Sequence, residues 1–502
     1  MTLIGLDIGT TSCKAHVFNE TLDLLYSASR EYAVDIPFPK WAEQDAELVW
    51  SKIKEVLQEC VREAGISNTV KAIGLSVQGE AVVPVDVNGL ALRPMILGMD
   101  TRTDAQNEWL KDRFGAQELF KRTGMPIHTI NTLPKLLWLK EHEPKIWKKA
   151  HKFLLYEDFI INKLTHQPII SQCLASRTQL YDLIEEEWSS TILDALELDI
   201  NRLSPVVPSG TVAEKVDAKV AQEIGIFSNP IVVCGGHDQA CGALGAGLIK
   251  PGLAMVSTGS AEVVEVAMDS PHLNDVLFKG NMSVYHHTVK GLFVVMTLNQ
   301  SGGYILRWFR DTFCDFEKEL VEKKGGNVYD LLLKNSPQVP SHVMILPHFS
   351  GSGTPHFDTS SKGAIVGLTF ATNKNDIAKA IIEGLTMELR LNLELLQNGG
   401  ISINELRAIG GGAKSDLWLQ LKADITHIPV AKPKVTEAAG EGAAILAGVA
   451  AGIFSDAASA IQTHMYIDKV FHPNPEMKER YDERYDVYKN LYPSLKTINQ
   501  NL

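Results

Sequence analysis

Gly5-Leu6-Asp7-Ile8-Gly9-Thr10-Thr11-Ser12 stands almost at the start of the chain, and its reading decides the fold. Two short apolar runs, Leu3 to Asp7 and Cys13 to Phe18, flank the Gly-Thr-Thr-Ser turn, which predicts a β-hairpin. Gly9 permits a tight turn and close backbone approach. The amides and hydroxyls of Thr10, Thr11 and Ser12 then face one anion, as a phosphate cradle requires. Asp7 cannot approach a phosphate without repulsion, but it can act through Mg2+ and water. Lys14, one strand step further, can bring a positive charge nearby. The segment is neither G-x-x-x-x-G-K-[ST] nor G-x-G-x-x-G. An ordinary hairpin is the competing reading of this stretch taken alone.

A second turn of the same kind changes that balance. Leu253 to Ser257 reads as a strand, Ser257-Thr258-Gly259-Ser260 as a turn, and Glu262 to Val266 as the returning strand. Thr258 and Gly259 offer phosphate the same chemistry as the first hairpin. Between the two lies Cys234-Gly235-Gly236-His237-Asp238-Gln239-Ala240. Here a strand-like run, Pro230 to Cys234, ends in two glycines and delivers Asp238 to the mouth of a small, apolar helix. A carboxylate so placed can take a proton from an alcohol. Further on, Gly410-Gly411-Gly412-Ala413-Lys414-Ser415 follows the strand Glu405 to Ile409 and opens a helix. Helix N-termini attract anions and bare glycine backbone can carry a flat ring, so this reads as an adenosine platform, with a tight strand-to-helix turn as the alternative. A base for a hydroxyl beside cradles for phosphate predicts a kinase of small polyols or sugars.

The rest of the chain sets bounds. Its 502 residues predict two or more domains. A net charge of −12, without a concentrated Lys/Arg cluster, argues against a nucleic-acid partner. No run of about 18 apolar residues predicts a membrane span, and the start runs straight into the hairpin, so no signal peptide is expected. Six cysteines at irregular spacing, without a C-x-x-C pair, fit buried thiols in a reducing cytoplasm. Cys234 and Cys241 flank Asp238 and read as small core residues rather than redox or metal groups.

Strands and helices alternate throughout. Ala46 to Ala64 has helical period, with Leu48, Val49, Ile53, Val56, Leu57 and Val61 on one face. Ala72 to Val77 and Val82 to Val85 read as strands, Leu133 to His142 and Asp158 to Leu164 as helices, and Pro205 to Gly210 as loop. Later come a long helix from Lys374 to Leu396, a last amphipathic helix carrying Glu437 to Gly448, and an amphipathic tail from Met477 to Leu502 with Tyr481, Tyr485, Tyr488 and Tyr492. The tail's own domain is its favoured partner, with a neighbouring chain in a homodimer as the alternative. A boundary near Gly247 to Gly252 divides residues 1–247, with the sugar site and first phosphate hairpin, from residues 253–502, with the second phosphate turn and adenosine platform. The expected architecture is α/β: two related halves around a cleft.

Together these segments resemble the FGGY carbohydrate kinase family, which has the duplicated, ribonuclease-H-like fold of actin-like ATPases. Besides the hairpins, Trp41-Ala42-Glu43-Gln44-Asp45 resembles the family's Trp-x-Glu-Gln-Asp, Asp100-Thr101-Arg102 its Asp-x-Arg, and Ala175-Ser176-Arg177-Thr178 its Ala-Ser-Arg-Thr. The resemblance implies ATP and Mg2+ as cofactors and a small sugar as substrate. It makes Asp238 the general base. Thr10, Thr11, Ser12, Lys14, Thr258 and Gly259 would lie at the phosphates, Gly411, Gly412, Ala413 and Lys414 at the adenosine, and Asp7 at the metal. Gln78, Gly79, Glu80, Asp100 and Gln239 would join Asp238 at the sugar.

The chain departs from its relatives at the sugar segment, Ser76-Val77-Gln78-Gly79-Glu80-Ala81. Xylulose kinases carry Gln-Met-His-Gly there and glycerol kinases Gln-Arg-Glu-Thr. Glu80 can accept two sugar hydroxyls, and Gly79 leaves space. The missing Arg argues against glycerol, while Asn131 to Glu141 looks most like kinases of L-fuculose and related deoxyketoses or pentuloses. Ser350-Gly351-Ser352-Gly353-Thr354-Pro355 replaces Gly-Glu-Arg-Thr-Pro and reads as a flexible cleft element. His286 and His287 point to opposite faces of a strand, which favours satisfied polar contacts over metal. A chaperone-like or actin-like ATPase, or a noncatalytic sugar sensor, would share this fold. The intact Asp238 and both phosphate turns speak for the kinase.

Overall fold

The computed structural model describes residues 1–334, 336–337, 339–435 and 437–502. The chain builds two mixed sheets of closely matching topology. The first holds six strands: β1 (Thr2–Ile8), β2 (Ser12–Asn19), β3 (Leu24–Glu31), β4 (Val70–Val77), β5 (Val212–Lys215) and β6 (Ile231–His237), in the order β5-β6-β4-β1-β2-β3. The second holds seven: β7 (Gly252–Thr258), β8 (Glu262–Met268), β9 (Ser283–His286), β10 (Phe293–Asn299), β11 (Ile403–Ile409), β12 (Val430–Pro433) and β13 (Ile467–Phe471), in the order β9-β10-β8-β7-β11-β12-β13. In each, an antiparallel hairpin (β1–β2, β7–β8) pairs through its first strand with a parallel strand, that strand pairs with a second parallel one, and an antiparallel edge strand closes the far side. This is the duplicated arrangement expected from the two hairpins.

Eight helices matter here: α1 (Ala46–Glu63), α2 (Gln172–Ser176), α3 (Asp238–Gly245), α4 (Lys374–Asn398), α5 (Asp416–Thr426), α6 (Ala438–Ala450), α7 (Pro475–Tyr488) and α8 (Leu491–Asn499). Asp45 caps α1, accepting from the backbone of Glu47 and Leu48. Val49, Ile53, Val56, Leu57 and Val61 then pack against Ile4, Leu6 and Val17 of the first sheet. Leu48 does not join them and is 42% exposed. It sits about 100° round the helix from Val49, off the apolar face.

The halves interlock at α3 and α6. α3 leaves the first sheet, yet Ala243 packs with Leu253, Met255 and Ala267 of the second. α6 comes from the second half, yet Ala444 and Ile445 pack with Leu3, Ala72 and Val233 of the first. Glycines make this approach physical: a Cβ on Gly5 would collide with the Gly440 carbonyl, one on Gly74 with that of Ala443, and one on Gly442 with that of Cys241. Helix α6 is therefore buried on most sides rather than amphipathic, and it is not the last helix.

Other expectations are corrected locally. Pro205 to Gly210 contains a short strand, Val206–Val207, paired with Ile170–Ser171. The tail is two helices rather than one, and it packs on its own half: Tyr481, Tyr485 and Tyr488 donate to Glu383, Glu394 and Glu388 of α4. The Ser350–Pro355 loop is fastened to β10, with Thr354 N donating to Leu298 O at 2.8 Å and Leu298 N to Thr354 Oγ1 at 3.0 Å. Its glycines serve close packing rather than freedom: a Cβ on Gly353 would collide with Leu298 O.

Candidate active site

The first hairpin closes with Gly9 N donating to Ser12 O at 2.9 Å, leaving Thr10, Thr11 and Ser12 around its tip. Its backbone is braced from below. Gln44 Nε2 donates to Thr10 O at 2.9 Å and to Ala33 O at 3.0 Å, and Tyr32 OH to Gly9 O at 2.7 Å. Gln78 Nε2 donates to Gly9 O and its Oε1 accepts from Thr10 Oγ1, both at 3.2 Å. Gln78 thus supports the phosphate hairpin through both ends of its amide. Lys14 is placed otherwise than expected: its Nζ pairs with Glu437 of the other half at 2.9 Å.

Parallel pairing sets the carboxylates side by side. Asp7 of β1 is in register with Ser76 of β4, and His237 of β6 with Val77 of β4. All three strands therefore end on one edge, where ligands bind in open α/β sheets. Strand β6 continues through both glycines to His237 because neither site has room for a side chain. A Cβ on Gly235 would meet the Leu75 carbonyl, and one on Gly236 would lie 2.9 Å from Cys173 Sγ. Asp238 is the first residue of α3 and its side chain is 28% exposed. Its Oδ1 accepts from Gln239 N at 2.7 Å, which is the only hydrogen bond of Gln239 to the base. Burial, then the charge of Asp7, push the Asp238 carboxyl up to about 8. Asp7 is raised as well, by burial first, against the Ser76 hydroxyl that donates to its Oδ1 at 2.9 Å.

Glu80 is buried and adopts φ +61°. Arg177 donates to its Oε1 through Nε at 2.6 Å and also through Nη2. Half of the acceptor capacity expected for a sugar is thus already committed, with Oε2 left over. The space left by Gly79 is filled by the His237 ring: a Cβ there would stand 2.8 Å from its Cδ2. Asp100 has no exposed surface. It accepts from Ala42 N at 2.6 Å and from Arg102, whose guanidinium lies 3.6 Å from the Trp41 ring and 4.7 Å from that of Trp138. Asp100 therefore orients Arg102 and presents nothing to a sugar.

In the second half, the Thr258 hydroxyl donates to Glu262 Oε2 at 2.7 Å and accepts from Lys422 Nζ at 3.2 Å. Lys422 and Glu262 form an ion pair that is 1% exposed on both sides. Thr258 is thus anchored, and only its backbone and the exposed Gly259 and Ser260 remain for phosphate. Gly410 has φ +79°, and a Cβ on Gly412 would lie 2.7 Å from Thr258 Cβ. The glycine turn and the phosphate turn touch. Gly412 is consequently buried, while Gly411 and Lys414 are exposed and Ala413 half-buried.

His287 Nε2 bonds to Leu248 O at 2.8 Å, whereas His286 Nε2 is buried without a hydrogen-bond partner among the described residues. His287 is satisfied as expected and His286 is not. Among the described residues no three His, Cys, Asp or Glu groups converge on a metal position, and no helix is long and apolar enough to cross a membrane. All six cysteines are free and buried. Sequence reasoning gave no role to His237, which adjoins the base, to Tyr285 and Glu265 behind it, or to Arg177. One signal for Glu265 was present: a carboxylate in the apolar run Val263-Val264-Glu265-Val266-Ala267.

Known proteins share this architecture. The N-terminal domain model of the FGGY family of carbohydrate kinases matches residues 2–245, and its C-terminal domain model matches residues 254–451. A xylulose kinase of Staphylococcus epidermidis is 32% identical over 502 residues, covering 100% of this chain and 98% of that protein. A gluconokinase of Bacillus subtilis is 28% identical, covering 90% of this chain and 88% of that protein. The crystal structure of a xylulose kinase from Rhodospirillum rubrum superposes with a TM-score of 0.88 at 25% identity, over 99% of this chain and 100% of that one.

Proposed function

The chain belongs to the FGGY family of carbohydrate kinases, and from that premise we propose that it phosphorylates a neutral ketose, with Asp238 as the base that takes the proton from the sugar hydroxyl. It is an ATP-dependent sugar kinase. The observation that supports the residue assignment is the shared strand edge, where β6 delivers Asp238 to the same end of the sheet as Asp7 and the turn that follows β1. Residues 1–247 form the sugar-binding and first phosphate domain, and residues 253–502 the second phosphate and adenosine domain.

Phosphoryl transfer asks the protein for position and charge compensation more than for covalent chemistry. Thr10, Thr11 and Ser12 receive the phosphates from one half, and the backbone of Thr258 and Gly259 from the other. Gly411, Ala413 and Lys414 border the adenosine. Asp7 fits an Mg2+ ion through water: the residue is half-buried, its charge acts on that of Asp238 and its carboxylate has one hydroxyl partner, Ser76. Such an ion supplies charge neutralisation at the phosphates. Asp238, held by Gln239 N, accepts the hydroxyl proton and releases it to water through the cleft.

Charge favours a neutral sugar over an aldonate. Glu80 and Asp238 are both acidic, and of the cations beside Glu80, Arg177 is already paired with it and Lys135 Nζ donates to the Glu80 and Ile130 carbonyls. The names of the xylulose kinase relatives point to a pentulose. Buried free thiols fit a reducing cytoplasm.

The test is ADP release with Mg-ATP across ketoses, polyols and gluconate, for the wild type and Asp238→Ala. A ketose should give the highest kcat/KM, and the variant should lose about 10²- to 10⁴-fold in kcat while still binding ATP. Preference for gluconate would overturn the substrate assignment, and full activity of the variant would overturn the base.

A further inference from the structure

We propose that Lys135 and Thr132 are positioning residues for sugar recognition: together they clamp the Glu80 carbonyl and so hold the Glu80 carboxylate at the sugar. The inference rests on the reading of Glu80 as a sugar ligand. Thr132 and Lys135 stand three residues apart at the start of the helix Thr132–His142, on one face of it. Thr132 Oγ1 donates to Glu80 O at 3.1 Å, and Lys135 Nζ donates to the same oxygen at 3.4 Å. Lys135 Nζ also donates to Ile130 O. Both side chains are buried, that of Lys135 with no exposed surface.

The clamped carbonyl belongs to a strained turn. Glu80 has φ +61°, and Ala81 N donates across it to Gly79 O at 2.8 Å. Three-residue turns with a positive central φ are rare and strained, and such strain persists only where the surroundings over-determine it. Relaxing this turn means rotating the peptide between Glu80 and Ala81, and the Glu80 carbonyl oxygen must swing as it does so. Two donors hold that oxygen.

The other end of Glu80 is gripped separately, from the same frame. Arg177 donates to the carboxylate through Nε and Nη2, and Leu133 N of the clamping helix donates to Thr178 O at 3.0 Å, one residue beyond Arg177. Both Arg177 bonds go to Oε1, which leaves Oε2 for a sugar hydroxyl. A Cβ on Gly98 would stand 3.5 Å from Oε2, from Gly79 O and from Ile130 Cγ1. Packing at that distance does not demand a glycine, so the space before Oε2 is room for a ligand. Lys135 ties together two walls of that space, Glu80 and Ile130.

Filling volume does not explain a lysine here. A methionine would fill it as well, and a buried cation is costly unless its protons are taken up. Burial pulls the Lys135 ammonium down to about 7, against the charges of Glu80 and Asp100. The charged form has three N–H donors and the neutral amine two, so either form can serve both carbonyls and the clamp survives the titration.

The test uses the preferred ketose and its monodeoxy analogues, each read as kcat/KM. Glu80→Gln should identify the hydroxyl that Oε2 accepts: its loss on the parent sugar should disappear with one analogue. Lys135→Met should reproduce that signature, with a loss of about tenfold or more on the parent sugar, no more than about twofold on that analogue, and an unchanged KM for ATP. Thr132→Val, which removes the second donor, should show the same signature at smaller size. A loss spread evenly over the parent and all analogues would mean a purely structural role, and a wild-type pattern would mean no influence; either overturns the inference. Should Lys135→Met not fold, Thr132→Val decides by the same criteria. If Glu80→Gln treats the parent and every analogue alike, Glu80 does not touch the sugar, and the inference falls with that reading. Failure of the Lys135 and Thr132 variants alone leaves the reading of Glu80 standing.

Discussion

Arg177 and Glu80, 97 residues apart in sequence, form a doubly hydrogen-bonded ion pair with side chains 2% and 4% exposed. The Arg177 guanidinium also lies over the Tyr285 ring, so the pair ties the sugar segment of the first half to β9 of the second. Desolvated pairs owe much of their apparent strength to the cost of leaving one charge behind. Arg177→Met should therefore destabilise the protein by about 3–5 kcal/mol in urea unfolding and raise the KM for the sugar. Combining it with Glu80→Gln should recover a large part of that loss. An additive double variant would show that the two side chains do not depend on each other.

The base is bought with stability. Burial holds the Asp238 carboxyl up at about 8, while an unfolded aspartate titrates near ~3.9. Between these values the folded state binds more protons than the unfolded state, so this group's contribution to stability falls as pH rises from about 4 to 8. Asp238→Asn should raise Tm more at pH 8 than at pH 4. In the wild type, kcat/KM should climb with pH through an inflection near 8 and level off above it, since it reports the free enzyme. A Tm difference independent of pH would contradict the raised carboxyl.

Local signals made both hairpins, the strand leading into Asp238 and the glycine turn at 410–412 legible in the sequence, because each is encoded within about ten residues. What those residues touch was not legible. Gln78 and Asp100 read as sugar ligands because their partners, the Gly9 carbonyl and the Ala42 amide, come from strands and turns elsewhere. Lys14 sits beside the phosphate hairpin in sequence, yet its partner Glu437 lies more than four hundred residues away. The burial of α6 on most sides was hidden for the same reason: its small residues look like one apolar face until the first sheet and α3 close on both flanks.

Gln44 offers a clean test of support at a distance. Its side-chain amide holds the Thr10 and Ala33 carbonyls and accepts from the Tyr156 hydroxyl. Gln44→Leu removes the donor and leaves these groups unsatisfied, at about 1–3 kcal/mol. Because Thr10 belongs to the phosphate hairpin, the KM for ATP should rise several-fold while that for the sugar changes little. Equal effects on both would place the role of Gln44 in general stability.

Gly5 tests whether the two halves are locked by contact. A Cβ there collides with the Gly440 carbonyl, and α6, which carries Gly440, is wedged between the first sheet and α3. Neither backbone is the far end of a flexible side chain, so the strain cannot relax cheaply. Overpacking a close interior typically costs about 1–3 kcal/mol, occasionally more. Gly5→Ala should therefore lower Tm strongly and push α6 away from β1. Since α6 and α3 pack together and α3 begins at Asp238, kcat should fall even though position 5 is far from the sugar in the chain. Gly65→Ala is the control, because nothing lies within 4 Å of a Cβ there. Its φ of +64° costs only local backbone strain, and kcat should be unchanged. Wild-type kcat in Gly5→Ala would show that the junction tolerates displacement without disturbing the base.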